Sequence, residues 1–407
     1  MSKISFYEAI QKIRDSNIPS IGDEIIFFGN SLDRVLNEDI FAKEDMPLFP
    51  VSSMDGYAFK IEYLEYFRQN GLEISQDNPA GSDFIELERY KAIKTFTGSL
   101  MPKNSDTLVI VESVEVKDNK IYLRENIQPK QGDWVRQRGD NYRSGEMLLS
   151  KGCKITPYEI GLLAELNYAF VRVRQKPKVG ILVSGNEIIE VGEQRKHFGQ
   201  VRNTNQHLLR AMIEKMGGVA VVYKNTHDNL DDIREIFSMM LRECDFIVTT
   251  GGMSKGDYDF TQNVILENSE VIFQGVDIKP GKPTIFAIDK NTNKPILGLS
   301  GNPNAVATTF YVFGKFIFSK LLQQEEHLKI VNAITQEEIK KKDLRMEFRS
   351  CFIKLVSGKY EISFMQKKSN QSAIINNLCG ESALAILDKD FIDKNQEIKV
   401  ILFKEFD

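Results

Sequence analysis

Histidine and cysteine are the scarce residues of this 407-residue chain, four of each, and neither forms a cluster. Cys153, Cys244, Cys351 and Cys379 stand far apart with no Cys-x-x-Cys pair, which argues against a zinc site and for a reducing compartment. His197, His207, His227 and His327 lack metal-ligand spacing as well. Neither sign of charge dominates: 53 Lys and Arg against 57 Asp and Glu leave −4, so no global basic field draws nucleic acid. Apolar runs stay well short of the roughly 18 residues that span a bilayer. The start, Met1–Ile13, is amphipathic and carries an acid, unlike a signal peptide. These absences lead to the expectation of a soluble, cytoplasmic protein that engages neither nucleic acid nor membrane.

What is present is apolar content of 42 %, enough for sizeable cores, in a length that at roughly 100–200 residues per domain implies two to four of them. Ser5 and Glu8, spaced as a capping box, open a helix to Ile13 with Phe6, Ile10 and Ile13 on one face. Leu32, Val35 and Leu36 form a second helical stripe. From Ile61 to Pro129 the chain turns strand-rich, and then Pro157–Leu166 predicts a helix and Val171–Arg174 a strand.

After Pro177 strands and helices alternate. Val179–Val183, Val219–Tyr223, Phe246–Thr250 and Ile296–Leu299 are near-continuous apolar runs. Between them lie helical patterns at Thr204–Met216, at Leu230–Leu241 with Asp228 as cap, and from Asp259 to Glu267; Ala305–Leu322 follows the last strand. This alternation predicts a parallel sheet with helices on both faces. Arg349–Leu355, Tyr360–Met365 and Ile398–Phe403 then predict a small β-domain.

In an open α/β sheet, ligands bind beyond the carboxyl ends of the strands. Here those ends carry Ser184-Gly185-Asn186-Glu187, Asp228, Gly251-Gly252, Asp257, Asp259 and Ser300-Gly301-Asn302-Pro303. Glycines after a strand let backbone approach a ligand closely, although such a pair is also ordinary turn chemistry. Lys279-Pro280-Gly281-Lys282-Pro283 holds two ammonium groups on one stiff turn, a spacing suited to a tetrahedral oxyanion or phosphate. The stretch predicts an anion site with an associated divalent cation. Two further loops, Ser52–Ala58 with Asp55 and Thr95–Ser99 with Thr97, gather hydroxyls, an acid and glycines; an Asx-type turn is the alternative for the first.

Taken together, Ser52-Ser-Met-Asp-Gly-Tyr-Ala58, Thr97-Gly98 with Ser105-Asp-Thr107, Ser184–Glu187, Thr250-Gly-Gly-Met-Ser254 through Asp259, Lys279–Pro283 and Gly301–Pro303 resemble, in order, the molybdopterin molybdenumtransferase (MoeA) family, also seen as the E-domain of gephyrin. The resemblance covers essentially the whole chain. It implies a multidomain α/β plus β protein. Its parts would be a discontinuous elongated linker domain (1–48 and 135–175), a small insert domain (49–134), a three-layer α/β molybdopterin-binding domain (176–326) and a C-terminal β-barrel-like domain (327–407). The implied activity inserts molybdate into adenylylated molybdopterin, ligating the metal through the dithiolene and releasing AMP with Mg²⁺ assistance.

The resemblance also distributes roles. Lys279 and Lys282 would neutralise molybdate, and Glu187, Asp228 and Asp259 would handle the metal ion and the chemistry. Asp55 and Thr97 would enter the partner's cleft of a homodimer. Ser184, Gly185, Gly251, Gly252, Ser254, Ser300, Gly301, Asn302, Arg349 and Ser372 would line the cofactor site. Partners implied beyond the second subunit are a molybdopterin adenylyltransferase and apo-molybdoenzymes. The chain departs from the family at Ala305, where a serine is usual, and at Asn141, where an acid is usual. Two other readings stay open: an interaction scaffold in the manner of gephyrin, and the same module acting on another nucleotide substrate, such as a pyrophosphatase.

Overall fold

The computed structural model describes residues 3–403 apart from 225–229, 253–259, 326, 342, 366 and 368–372. The chain divides into two compact units, both discontinuous: Met1–Glu38, Gly152–Ile160 and Ala169–Asp407 form one, and Asp39–Lys151 with Gly161–Tyr168 the other.

The larger unit is organised by a six-stranded sheet in the order Val219–Val222, Lys178–Val183, Phe246–Thr250, Pro295–Leu299, Ile285–Asp289, Ser269–Gln274. The first four strands run parallel, while the last two add antiparallel. The sheet is therefore mixed rather than parallel throughout, because Ile285–Asp289 returns through a short turn instead of a helical crossover. Alternate residues of each strand enter opposite cores. Val179, Ile181, Phe246, Val248, Leu297 and Leu299 meet helices Phe6–Asp15, Thr204–Lys215 and Lys315–Leu322. Leu182, Ile247 and Ile296 meet Leu230–Glu243 and Phe260–Asn268. Both faces are covered, which is why the strands read as unbroken apolar runs.

Ser5 caps the first helix as its spacing predicts, its Oγ accepting from Glu8 N at 3.2 Å. The helix predicted at Ala305–Leu322 starts earlier, at Pro303, and passes through a π-helical turn at Phe310–Gly314. By length and composition this stretch could cross a membrane, but most of it is buried inside the protein. The helical stripe expected at Leu32–Leu36 is not a helix. Val35 and Leu36 instead form β-bridges to Lys154 and Val173, beside the antiparallel pair Asp23–Phe27 and Phe170–Arg174. Three apolar residues matched a helical period whose turns have no other support.

The C-terminal strands Ile330–Thr335, Met346–Val356, Lys359–Ser363, Ser382–Leu387 and Glu397–Ile401 close into a five-stranded barrel through the pairing of Met346–Val356 with Ser382–Leu387. Ser382–Leu387 is buried along its whole length, and its small residues carry little strand signal in the sequence. In the smaller unit a six-stranded sheet, including Gly56–Phe59, Lys91–Thr95 and Thr107–Ile110, packs on Phe67 of the helix Leu64–Asn70.

Cys244 and Cys351 are fully buried packing residues. Burial pushes the Cys351 thiol up to about 12, and the Cys244 thiol is also raised, so neither is a nucleophile. Cys244→Ala is expected to lower stability by about 1 kcal/mol while leaving turnover unchanged, which chemical denaturation and an activity assay on the same sample check.

Candidate active site

Parallel pairing brings the strand ends to one edge. Val183 lies opposite Thr250, and Thr250 opposite Leu299, so the segments 184–187, 251–252 and 300–303 emerge side by side. Ser184 N donates to Thr250 O at 3.0 Å, and its buried Oγ lies 3.0 Å from Thr261 Oγ1 on the next helix. Gly251 has φ +88, and a Cβ there would stand 2.2 Å from the Ser184 carbonyl oxygen. Only glycine allows this approach. Glu187 is exposed and folds its carboxylate over Gly185, whose Cβ position lies 2.7 Å from Glu187 Oε2.

Asn205, which sequence reasoning passed over, ties the edge together. Its Nδ2 donates to Gly301 O at 2.8 Å and to Thr250 Oγ1 at 3.3 Å. Its Oδ1 is buried without a partner among the described residues, as are the hydroxyls of Ser300 and Thr249. Buried polar atoms are normally satisfied, so Asn205 Oδ1 and the Ser300 hydroxyl, both beside the strand ends at Thr250 and Gly301, mark a place that a ligand or water completes. The only hint in the sequence was Asn203, the cap that starts this helix by accepting from Gln206 N at 3.2 Å. Asn302 is exposed at the start of Pro303–Thr309, and the departure Ala305 is buried within that helix.

The lysine turn is built differently from the strand ends. Ile278–Lys279 leaves the sheet and pairs in parallel with Met346–Glu347 of the barrel. Gly281, at φ +99, packs its α-carbon against the helix: a Cβ there would meet Thr309 Cγ2 at 2.1 Å. Lys279 Nζ lies 3.7 Å from Glu347 Oε1, and Arg349 forks the same nearly buried carboxylate with two bonds of 2.9 Å. Arg345 donates to Asp343 at 2.8 Å and to Ile278 O at 3.4 Å. Arg345 is the first cause that holds the Asp343 carboxyl below its usual range, with Lys279 adding a smaller pull. The Lys282 amine is held below the ordinary lysine range, chiefly by Lys3 beside it, then by desolvation and Arg345; Asp277 opposes. Lys3, Lys279, Lys282, Arg345 and Arg349 against Asp277, Asp343 and Glu347 leave two positive charges in excess. Lys3, Asp277 and Asp343 are additions to the residues expected from the sequence, whereas Arg345 and Glu347 belong to the segment Arg345–Arg349 that resembles family positions near the oxyanion.

In the smaller unit Asp55 and Thr97 come together. Asp55 Oδ1 accepts from the Thr97 backbone N and Oγ1, each at 2.8 Å. Those bonds, backbone first, keep the exposed carboxyl below its usual range despite desolvation. The turn role falls to Ser52, whose Oγ bonds Met54 O at 2.5 Å. Asp106 is a structural acid, accepting from Ile61 N at 2.8 Å and Thr107 Oγ1 at 2.9 Å. Asn141, the other departure, accepts from Arg136 at 2.7 Å. Asp228, Ser254, Asp257, Asp259 and Ser372 lie outside the described residues. Among the described residues no three His, Cys, Asp or Glu side chains gather as a metal cluster.

Residues 4–167 match the family model described as MoeA N-terminal region (domain I and II), and 180–320 match that described as probable molybdopterin binding domain. The chain is similar to the molybdopterin molybdenumtransferase of Haemophilus influenzae, at 31 % identity over 81 % of both chains. It is similar to that of Staphylococcus epidermidis at 30 % identity, over 83 % of this chain and 81 % of the relative. Its fold superposes on the molybdopterin biosynthesis moeA protein of Pyrococcus horikoshii with a TM-score of 0.82 at 27 % identity, covering 99 % of this chain and all of that one.

A layered sheet with glycine-lined strand ends, joined to a closed barrel, is the architecture of a molybdopterin-binding transferase of molybdenum cofactor biosynthesis. The chain belongs to the molybdopterin molybdenumtransferase (MoeA) family.

Proposed function

We propose that this enzyme inserts molybdate into adenylylated molybdopterin and releases AMP, working in the cytoplasm as a Mg²⁺-assisted homodimer. The observation that carries this reading is the charge balance at the lysine turn. Two positive charges in excess match a tetrahedral dianion. In this reading Lys279 and Lys282 hold the oxyanion, with Arg349 locking Glu347 so that the cluster keeps its shape. Gly251 and Gly252 present backbone to the adenylyl phosphate, and Ser184, Gly185, Ser300, Gly301 and Asn302 line the pterin side, where Asn205 and the Ser300 hydroxyl still have bonds to make.

Glu187, Asp228 and Asp259 are hard oxygen donors with no histidine or thiol among them, a set suited to Mg²⁺. The ion would supply charge neutralisation on the phosphate oxygens as AMP leaves. Ser254 and Ser372 remain candidates for cofactor binding by resemblance, while Asp55 and Thr97 would reach the cleft of the second subunit. The four-domain division is part of the same proposal, as are handover partners upstream and downstream.

The test mixes purified protein, adenylylated molybdopterin, molybdate and Mg²⁺ and follows AMP by chromatography and bound molybdenum by mass spectrometry. AMP release that requires molybdate and tracks molybdenum uptake is the expected result. Hydrolysis of free nucleotides with no molybdopterin binding would overturn it. Molar mass in solution checks the dimer.

A further inference from the structure

Lys3 owes its place to backbone. Ile4 N donates to Gly275 O at 3.4 Å and Asp277 N donates to Ile4 O at 2.8 Å, a parallel bridge centred on Val276. Gly275 and Val276 in turn donate to Thr284 O at 2.9 Å and Lys282 O at 3.0 Å. The segments bearing Lys3 and Lys282 are thus laced to the same short stretch. The Lys3 Cγ lies 3.7 Å from where a Cβ on Gly275 would stand. Immediately after it, Ser5 caps a helix whose Phe6, Ala9, Ile10 and Ile13 are buried, so the entry of the chain is fixed as well.

The Lys3 side chain and the Lys282 backbone thus flank the same point, each 3.7 Å from the Gly275 Cβ position, and Lys3 is the first cause that holds the Lys282 amine low, with Arg345 adding to it and Asp277 opposing. Like charges so placed repel, and the arrangement is relieved when one anion is shared between them.

We propose that Lys3 is an affinity- and specificity-determining residue of the oxyanion site, forming with Lys282 a paired-ammonium clamp for a tetrahedral dianion. The inference rests on the reading of Lys279–Pro283 as the molybdate turn. It assigns Lys3 to capture of the anion rather than to the chemical step, since its side chain reaches the cluster from the outer, exposed side. A phosphate group of the nucleotide has the same shape and charge class, so the test separates the two.

Calorimetric titration of the full chain with molybdate and, separately, with inorganic phosphate is run on wild type, Lys3→Gln, Lys3→Arg and Lys3→Glu. Lys3→Gln is expected to weaken molybdate about tenfold, Lys3→Glu more, and Lys3→Arg by no more than about twofold. KM for molybdate should rise by the same factor while kcat holds within about twofold. Because Lys3 is exposed, Tm should not move. Equal molybdate affinity in Lys3→Gln and wild type would overturn the clamp and leave the oxyanion turn standing. Loss of phosphate binding alone would also overturn it as a molybdate device. Absence of molybdate binding by wild type would overturn the underlying reading with it.

Discussion

Lys279→Ala is expected to fold normally and to lose roughly 100-fold in kcat/KM for molybdate, about 2.7 kcal/mol of transition-state stabilisation. The two halves of that expectation come from one carboxylate. Glu347 is nearly buried, with its side chain 4 % exposed, and an unpaired buried charge there would destabilise the barrel. Arg349 already engages both of its oxygens at 2.9 Å, so removing Lys279 from its 3.7 Å contact leaves Glu347 satisfied. What disappears is the part of the lysine charge that Glu347 does not consume. Arg349→Ala should behave oppositely, orphaning Glu347 and costing about 3 kcal/mol of stability, so denaturation and activity separate the two residues. Lys279→Ala with wild-type kcat/KM at subsaturating molybdate would remove this lysine from the site.

The sheet was legible because both its faces are covered. Residues such as Val248 and Ile247 enter opposite cores and are apolar for the same reason, so Phe246–Thr250 is read from sequence with its observed bounds. The two antiparallel strands were not read, since Ser269–Gln274 continues directly from a helix and the apolar run Ile285–Asp289 shows its direction only through its pairing with Pro295–Leu299. The barrel was expected from the family resemblance and not from any local pattern, because its closure depends on the long-range pairing of Glu347–Phe352 with Ser382–Leu387.

The site divides along the same line. Gly251, Gly252, Ser184 and Ser300 follow their strands at once, so topology alone delivers them to one edge. Lys3 and Asn205 arrive from distant parts of the chain through a bridge and a capped helix, and no local pattern announces them. Lys279 joins them only because its two-residue strand pairs with the barrel, a contact that sequence spacing does not encode.

Gly251→Ala is the substitution expected to do the most damage, with about 3 kcal/mol lost in stability and activity down at least roughly 100-fold. A methyl group would stand 2.2 Å from the Ser184 carbonyl oxygen, well inside contact distance, in a backbone conformation of φ +88 that side chains rarely adopt. Neither partner can yield cheaply. Ser184 N is bonded to Thr250 O at 3.0 Å, and Val183 and Thr250 are in register in the centre of the sheet, so the loop itself must swing away from the strand ends. Gly301→Ala supplies the contrast. Among the described residues its Cβ would meet only the Gly251 Cα at 3.9 Å, so denaturation should give the wild-type midpoint. If the pterin or its phosphate packs on this edge, Gly301→Ala will still raise KM for adenylylated molybdopterin, about tenfold, because the added methyl occupies space that only the ligand needs. Wild-type KM in Gly301→Ala would move the ligand off the strand edge, and a stable, active Gly251→Ala would show that the loop does not need the approach it makes to Ser184.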